Sequence, residues 1–143
     1  MTELLLKPAR ETGCSDLPAL EEAVQEASQR QHSPLDDILD TGLVDEEPYM
    51  RELASGLYLD WLPEIPDFES ALPLRAACGP QIALKHRVLP IEIDGDNARL
   101  QMVTYDPLNL LARQAAAQAI DLAFVWHMAS RRRVHYALRK LYG

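Results

Sequence analysis

The sequence predicts an α+β chain (α/β in the broad sense). A small N-terminal helical subdomain should precede an α-β-β-α-β-α unit with a small mixed sheet. Three observations carry this expectation. Residues 15–57 hold three stretches with apolar residues at helical spacing, each led by a residue suited to cap a helix. The apolar runs 88–93 and 100–103 flank Asp94-Gly95-Asp96-Asn97, residues that tolerate positive φ, which is a β-hairpin pattern. Beyond it, an alanine-rich helical stretch, a further apolar run and a last helical stripe follow in turn.

Residues 1–12 carry Pro8 and mixed polarity and read as a weakly ordered leader. Ser15 or Asp16 can cap a first helix whose stripe is Leu17, Leu20, Val24 and Ala27. Ser33 then caps a short helix with Pro34 at its first position. Leu35, Ile38 and Leu39 face inward, and Gly42 ends it where φ turns positive. Asp45 caps a third helix with Pro48 in its first turn and Tyr49, Leu53 and Leu57 as its stripe. Residues 59–67, with Trp61, Pro63 and Pro66, break the helical period and read as an extended linker. The boundary is expected there, between a helical subdomain with its leader, 1–62, and a compact α/β subdomain, 63–143.

In the second half Pro80 opens a helix to about His86, and the hairpin follows. Asp106 caps a helix that starts at Pro107 and runs to about Gln118. Residues 122–126 read as a third, buried strand. Ser130 caps a final helix with Val134, Leu138 and Leu141 inward and Gly143 as its stop. A strand, a helix and a strand in succession predict a crossover that makes those two strands parallel. A faint repeat also shows: Gly13, Leu20 and Val24 have the same spacing as Gly42, Tyr49 and Leu53.

Composition narrows the chemistry. The chain has 143 residues, 48% of them hydrophobic, enough for a real core. No run approaches the roughly 18 apolar residues of a membrane span, and Leu4-Leu5-Leu6 is too short for a signal peptide, so a cytoplasmic protein without direct membrane insertion is expected. Cys14 and Cys78 are far apart and read as free thiols. Residues 1–70 hold 4 basic and 17 acidic side chains, a charge of −13; residues 71–143 hold 10 and 5, a charge of +5. The acidic half argues against nucleic acid binding, and Arg131-Arg132-Arg133 with Arg139 and Lys140 reads as a solvated helix face.

No phosphate loop, GxGxxG turn, HExxH pair, GxSxG elbow or CxxC motif is present, so no catalytic residue is expected. His32, His86, His127 and His135 lack metal-ligand spacing, and neither a metal nor a cofactor is expected. Asp94-Gly95-Asp96-Asn97 could begin a calcium loop, but the twelfth position would be Tyr105 where a Glu is needed. Asp36, Asp37 and Asp40 share one short helix with nothing basic or nucleophilic placed to use them, and a solvated, dipole-friendly helix start accounts for Asp36 and Asp37.

Read together, His86…Val88-Leu89-Pro90-Ile91-Glu92-Ile93-Asp94-Gly95…Leu100…Met102-Val103…Asp106-Pro107-Leu108 resembles a family pattern, HxVLPLEVDGxxLxVAMxDPLD. That family is the N-terminal domain of the type II secretion and type IV pilus-assembly ATPases, GspE-like and also called MshEN. The segment 35–54 resembles its helical unit, 57–61 the extended stretch after it, and Arg139-Lys140-Leu141-Tyr142-Gly143 the point where the domain gives way to a linker. The resemblance implies an excised domain of a longer ATPase. It implies a non-catalytic adaptor that docks the motor on the cytoplasmic domain of an inner-membrane assembly protein, with the ATPase core of the same chain as a second partner. The protein would then be cytoplasmic and peripheral at the inner membrane. Asp36, Asp37, Asp40, Tyr49 and Tyr58 are the expected partner contacts, with Trp61 either beside them or packing the linker.

Some relatives bind cyclic di-GMP through two copies of RLGxxLxxxGxxxxxxLxxxLxxQ, and this is the alternative function, in such an ATPase or a membrane glycosyltransferase. The matching positions in the second copy are Ser33, Pro34, Leu35, Ile38, Gly42, Tyr49, Leu53 and Gly56. The packing positions are kept. Ser33, Leu35 and Gly56 stand where the motif has its Arg, its close-approach Gly and its Gln, and a dianion would meet a segment of like charge.

Overall fold

The computed structural model describes residues 2–68, 71–95 and 99–143, so the centre of the expected hairpin turn, Asp96-Asn97, lies outside the described residues. The chain divides into two compact units, Met1–Leu59 and Asp60–Gly143.

The first unit is helical: α1 (Thr2–Thr12), α2 (Leu17–Ser28), α3 (Leu35–Asp40) and α4 (Glu46–Gly56). The leader expected at residues 1–12 is therefore α1. Pro8 lies inside it, at a cost of about 3 kcal/mol in an isolated helix. Leu5, Leu6 and Ala9 are buried on one side of it, and two buried leucines at about 2 kcal/mol each outweigh that cost. Local propensity loses to packing here. α1 packs on α2 and α4, and α2 on α3. Asp16 accepts from Ala19 N at 3.1 Å and caps α2 as expected. Asp45 holds the cap position of α4 without a side-chain hydrogen bond, its backbone oxygen accepting from Tyr49 N. Pro34, not Ser33, holds the cap position of α3, and Ser33 Oγ accepts from Leu35 N at only 3.4 Å.

The glycine spacing has a structural counterpart. Gly13 and Gly42 both have positive φ, +101° and +73°, and each turns the chain out of one helix toward the next. Cys14 and Val44 then form an antiparallel bridge, and Ser15 N donates to Leu43 O at 3.1 Å. The two helix–glycine–helix copies are thus joined just after their glycines. Leu20 and Val24 in one copy, and Tyr49 and Leu53 in the other, are fully buried.

The second unit holds a four-stranded mixed sheet in the order β1-β4-β3-β2, with β1 (Asp60–Trp61), β2 (Val88–Asp94), β3 (Arg99–Thr104) and β4 (Phe124–Met128). β2 and β3 are antiparallel, whereas β3 and β4 are parallel, the crossover the element order predicts. Asp60 and Trp61, expected in the first subdomain, pair with His127 and Met128 and belong to the sheet. β4 begins two residues later than the apolar run, and only Met128 in it is buried. Its neighbour β1 is two residues long, so the start of β4 lacks cover on that side.

Among the described residues four helices complete the unit: α5 (Ala71–Ala77), α6 (Pro80–His86), α7 (Leu110–Ala119) and α8 (Arg131–Tyr142). α5, α6 and α8 pack against β2. α5 was not expected, because Leu74 is its one buried residue and leaves no stripe to read. α6 opens at Pro80 and closes on Arg87, a non-glycine residue in the left-handed region at φ +56°. α7 starts at Leu110, capped by Asn109, whose side chain accepts from Ala112 N. Asp106 instead closes a turn, accepting from Leu108 N while its own N–H goes to Thr104 Oγ1. That turn already occupies the carboxylate, which is why the helix waits for the next Asx residue. Ser130 caps α8, accepting from Arg133 N, as expected.

Candidate functional site

α3 carries the acidic cluster. Asp36 and Asp37 are half-buried in its first turn, where the helix dipole favours negative charge, and Asp40 is exposed at its end. Asp37 Oδ2 lies 2.9 Å from Arg30 Nη1 and 3.1 Å from His32 Nε2. A shallow cavity of about 240 Å³ between α2 and α3 is lined by Glu26, Arg30, Asp37, Asp40 and Thr41 among others. Residues 1–59 hold 4 basic and 13 acidic side chains, a charge of −9. Such a surface attracts cations and basic proteins and repels phosphates.

The positions matching the dinucleotide motif are interior. Leu35, Ile38, Tyr49 and Leu53 have no exposed area, Ser33 is half-buried, and Gly42 and Gly56 lie at the surface. Tyr49, expected to touch a partner, is corrected to a core residue. Its hydroxyl donates to Leu5 O at 2.7 Å, joining α4 to α1, and burial holds the phenol well above its ordinary range. Tyr58 does stand out: it is 96% exposed at φ +58°, with its N–H donating to Ser55 O. Trp61 is half-buried in β1, and its Nε1 is buried with no hydrogen-bond partner among the described residues.

One polar array escaped the sequence. Gln101 Nε2 donates to Asp94 Oδ2 at 2.7 Å, and Gln101 Oε1 lies 2.6 Å from His127 Nε2. His127 Nδ1 is 3.8 Å from Asp60 Oδ2, too long for a hydrogen bond. The array spans β2, β3 and β4, and only strand register brings these distant residues together, so no spacing could announce it. Among the described residues no group of His, Cys, Asp and Glu is arranged to hold a metal ion, and both cysteines are free. No helix of the described residues is long and apolar enough to cross a membrane.

Residues 58–143, well over half the chain, match the family model of the MshEN domain. The chain belongs to the MshEN family. MshEN domains of this GspE-like kind are N-terminal domains of type II secretion and type IV pilus ATPases, and are themselves non-catalytic. The fold recurs in solved structures. A structure of MshE with cdg (cyclic di-GMP) superposes with a TM-score of 0.73 at 21% identity, covering 96% of this chain and 98% of that one. The N-terminal domain of XpsE in one crystal form gives 0.72 at 20% identity over 99% and 96%. A second crystal form gives 0.60 at 21% over 98% and 93%. No curated protein matches this MshEN chain. The family match begins at Tyr58 and so falls almost wholly on the sheet unit.

Proposed function

We propose that this MshEN domain is a non-catalytic adaptor that docks a secretion or pilus ATPase on the cytoplasmic domain of an inner-membrane assembly protein. In that setting the protein is cytoplasmic and reaches the membrane only through its partner, with the ATPase core of the same chain as its second contact. The observation that carries the reading is the acidic face of α3, Asp36, Asp37 and Asp40, on a helical unit of charge −9. A field of that sign steers a basic partner domain into encounter, and rim charges act mainly on the association rate. Tyr58, fully presented beside that unit's end, supplies an aromatic contact of the kind interfaces favour.

The test is stopped-flow association with the cytoplasmic domain of the assembly protein. Raising salt to roughly 0.3 M, where the Debye length is about 6 Å, should slow association markedly. Reversing Asp36, Asp37 and Asp40 to Lys should slow it further with the helical fold kept. An association rate indifferent to both would remove the acidic face from docking.

Cyclic di-GMP, held by the MshE structure, has little to grip here. Leu35, Ile38, Tyr49 and Leu53 are core residues, and Ser33 and Gly56 cannot supply the charge of an arginine or the amide of a glutamine. Calorimetric titration with cyclic di-GMP at micromolar concentration should show no binding heat. A stoichiometric signal would replace the adaptor with a nucleotide sensor.

A further inference from the structure

α8 has two faces of opposite character. Val134, Leu138 and Leu141 are buried. At about 100° per residue, Arg132, Tyr136, Arg139 and Lys140 fall within an arc of about 100° on the other side. That side does not face open water alone. Residues 64–68 form a facing wall, and between the two lies an open groove of about 820 Å³. The wall contributes Ile65, Pro66 and Phe68 together with the acids Glu64 and Asp67, while the helix contributes four cations and Tyr136, which is 61% exposed, so cations outnumber acids in the groove.

Charge in the groove does not cancel. Lys140 Nζ is engaged by Asp67 Oδ1 at 2.6 Å, which lowers the Asp67 carboxyl below its usual range and fixes the wall to the helix at one end. Arg132 and Arg139 make no ion pair among the described residues. Two guanidiniums therefore flank an aromatic ring, opposite a wall that presents Ile65, Pro66 and Phe68, along a helix stretch of about 10 Å. A phosphate group needs donors that converge on a point. Here they are strung out, which suits carboxylates spaced along a chain. A membrane surface needs a flat cationic face, and these cations line a recess.

We propose that the groove between residues 64–68 and α8 binds an acidic amphipathic peptide segment of a partner protein, its carboxylates on Arg132 and Arg139 and its apolar side chains against Ile65, Phe68 and Tyr136. This site goes beyond the adaptor reading. It lies on the sheet unit, has the opposite charge, and takes a partner of opposite sign.

Fluorescence anisotropy with the full chain tests it, using a labelled peptide of alternating Glu and Leu with one Phe, and the same peptide with Gln for Glu. The acidic peptide should bind, the Gln peptide at least about tenfold more weakly, and added salt should weaken the former. Arg132→Glu with Arg139→Glu should reduce acidic-peptide affinity about tenfold or more with the circular dichroism unchanged. If that pair disturbs folding, Arg132→Gln with Arg139→Gln reads the same contact. Asp36, Asp37 and Asp40 reversed to Lys should leave peptide affinity intact, so failure of the adaptor reading and failure of this one are separable. Equal affinity for both peptides, or no loss in the arginine variants, overturns the proposal. So does displacement by pyrophosphate at matched ionic strength, which assigns a phosphate site. Arginine-dependent binding to anionic lipid vesicles in place of peptide assigns a membrane surface and overturns it equally. Loss of self-association in the arginine variants, seen by sedimentation, would make a second copy of the chain the occupant.

Discussion

Each unit of this chain is fastened by a tyrosine whose hydroxyl donates to a distant backbone carbonyl, but the two settings differ. Tyr49 lies in the helical interior with no exposed area, its hydroxyl on Leu5 O at 2.7 Å. Tyr142 closes α8 from a half-buried position, its hydroxyl on Cys78 O at 2.5 Å. The chemistry is the same, and water's access is not. A carbonyl left without its donor in a dry interior stays unsatisfied, while one near the surface can turn to solvent. Both units have fully buried residues, so the difference lies in where each tyrosine clasp sits: inside the core of the helical unit, and at the margin of the sheet unit.

The sharpest test of that difference is a cavity. Leu53→Ala should cost about 3 kcal/mol in urea unfolding, since Leu53 has no exposed area and sits on α4, which packs on α1. Val125→Ala, in the half-buried strand β4, should cost clearly less, about 1 kcal/mol. Equal costs would erase the contrast between the two interiors.

Next in size come the tyrosines. Tyr49→Phe should cost about 2 kcal/mol and Tyr142→Phe less than about 1 kcal/mol. Burial raises both phenol pKa values above the ordinary 10.0. The folded state then holds the proton more tightly than the unfolded chain, so this stability is complete below about pH 10 and is lost as pH rises beyond it. Each Phe variant should flatten part of that alkaline loss in a pH series of unfolding free energies. A Tyr49→Phe profile as steep as that of the parent would show that Tyr49 titrates like an exposed phenol.

Within the helical unit the two glycine turns can be ranked. An added Cβ meets nothing within 4 Å at either Gly13 or Gly42, so only backbone strain is at stake. Gly13, at φ +101°, lies farther from the left-handed well than Gly42 at +73°. Gly13→Ala should therefore cost about 1.5 kcal/mol and Gly42→Ala about 1 kcal/mol by thermal unfolding. The reverse order would mean that the two copies are not strained as their backbones indicate.

The smallest expected differences lie in the caps. Ser130→Ala and Asn109→Ala each remove a side-chain bond to the helix start and should cost about 1 kcal/mol. Asp45→Ala removes no such bond and should cost a few tenths of that. A full cap penalty at Asp45 would place its carboxylate on the helix in solution.

What could be read beforehand follows the range of the interactions. The stripes of α2, α4 and α8, the glycine turn after α3 and the parallel crossover depend on near neighbours or on simple chain geometry, and they were legible. α1 was missed because Pro8 argues against a helix locally, while Leu5 and Leu6 argue for one only once α2 and α4 are there to cover them. α7 was started too early because Asp106-Pro107 reads as a helix opening until Thr104 and Leu108 occupy its polar groups. The candidate site followed the same division. The acids of α3 needed only adjacency; Tyr49 was read both on the stripe of α4 and as a partner contact, and only its distant bond to Leu5 O decides for the core. The Asp94–Gln101–His127 array and the groove on α8 combine residues from separate segments, and no local pattern contains them.

The two ends of the sheet bear on how the protein behaves at high concentration. An outer strand with a long, regular row of unpaired amides invites a second molecule to continue the sheet, the first step of ordered aggregation. β1, at one end, is two residues long. β2, at the other, contains Pro90, which has no amide to offer, and its register shifts between Pro90 and Glu92. α5, α6 and α8 also pack against it. Growth is blocked by brevity on one flank and by irregularity on the other. At high concentration the sheet therefore offers a second copy of the chain no regular edge on which to extend it.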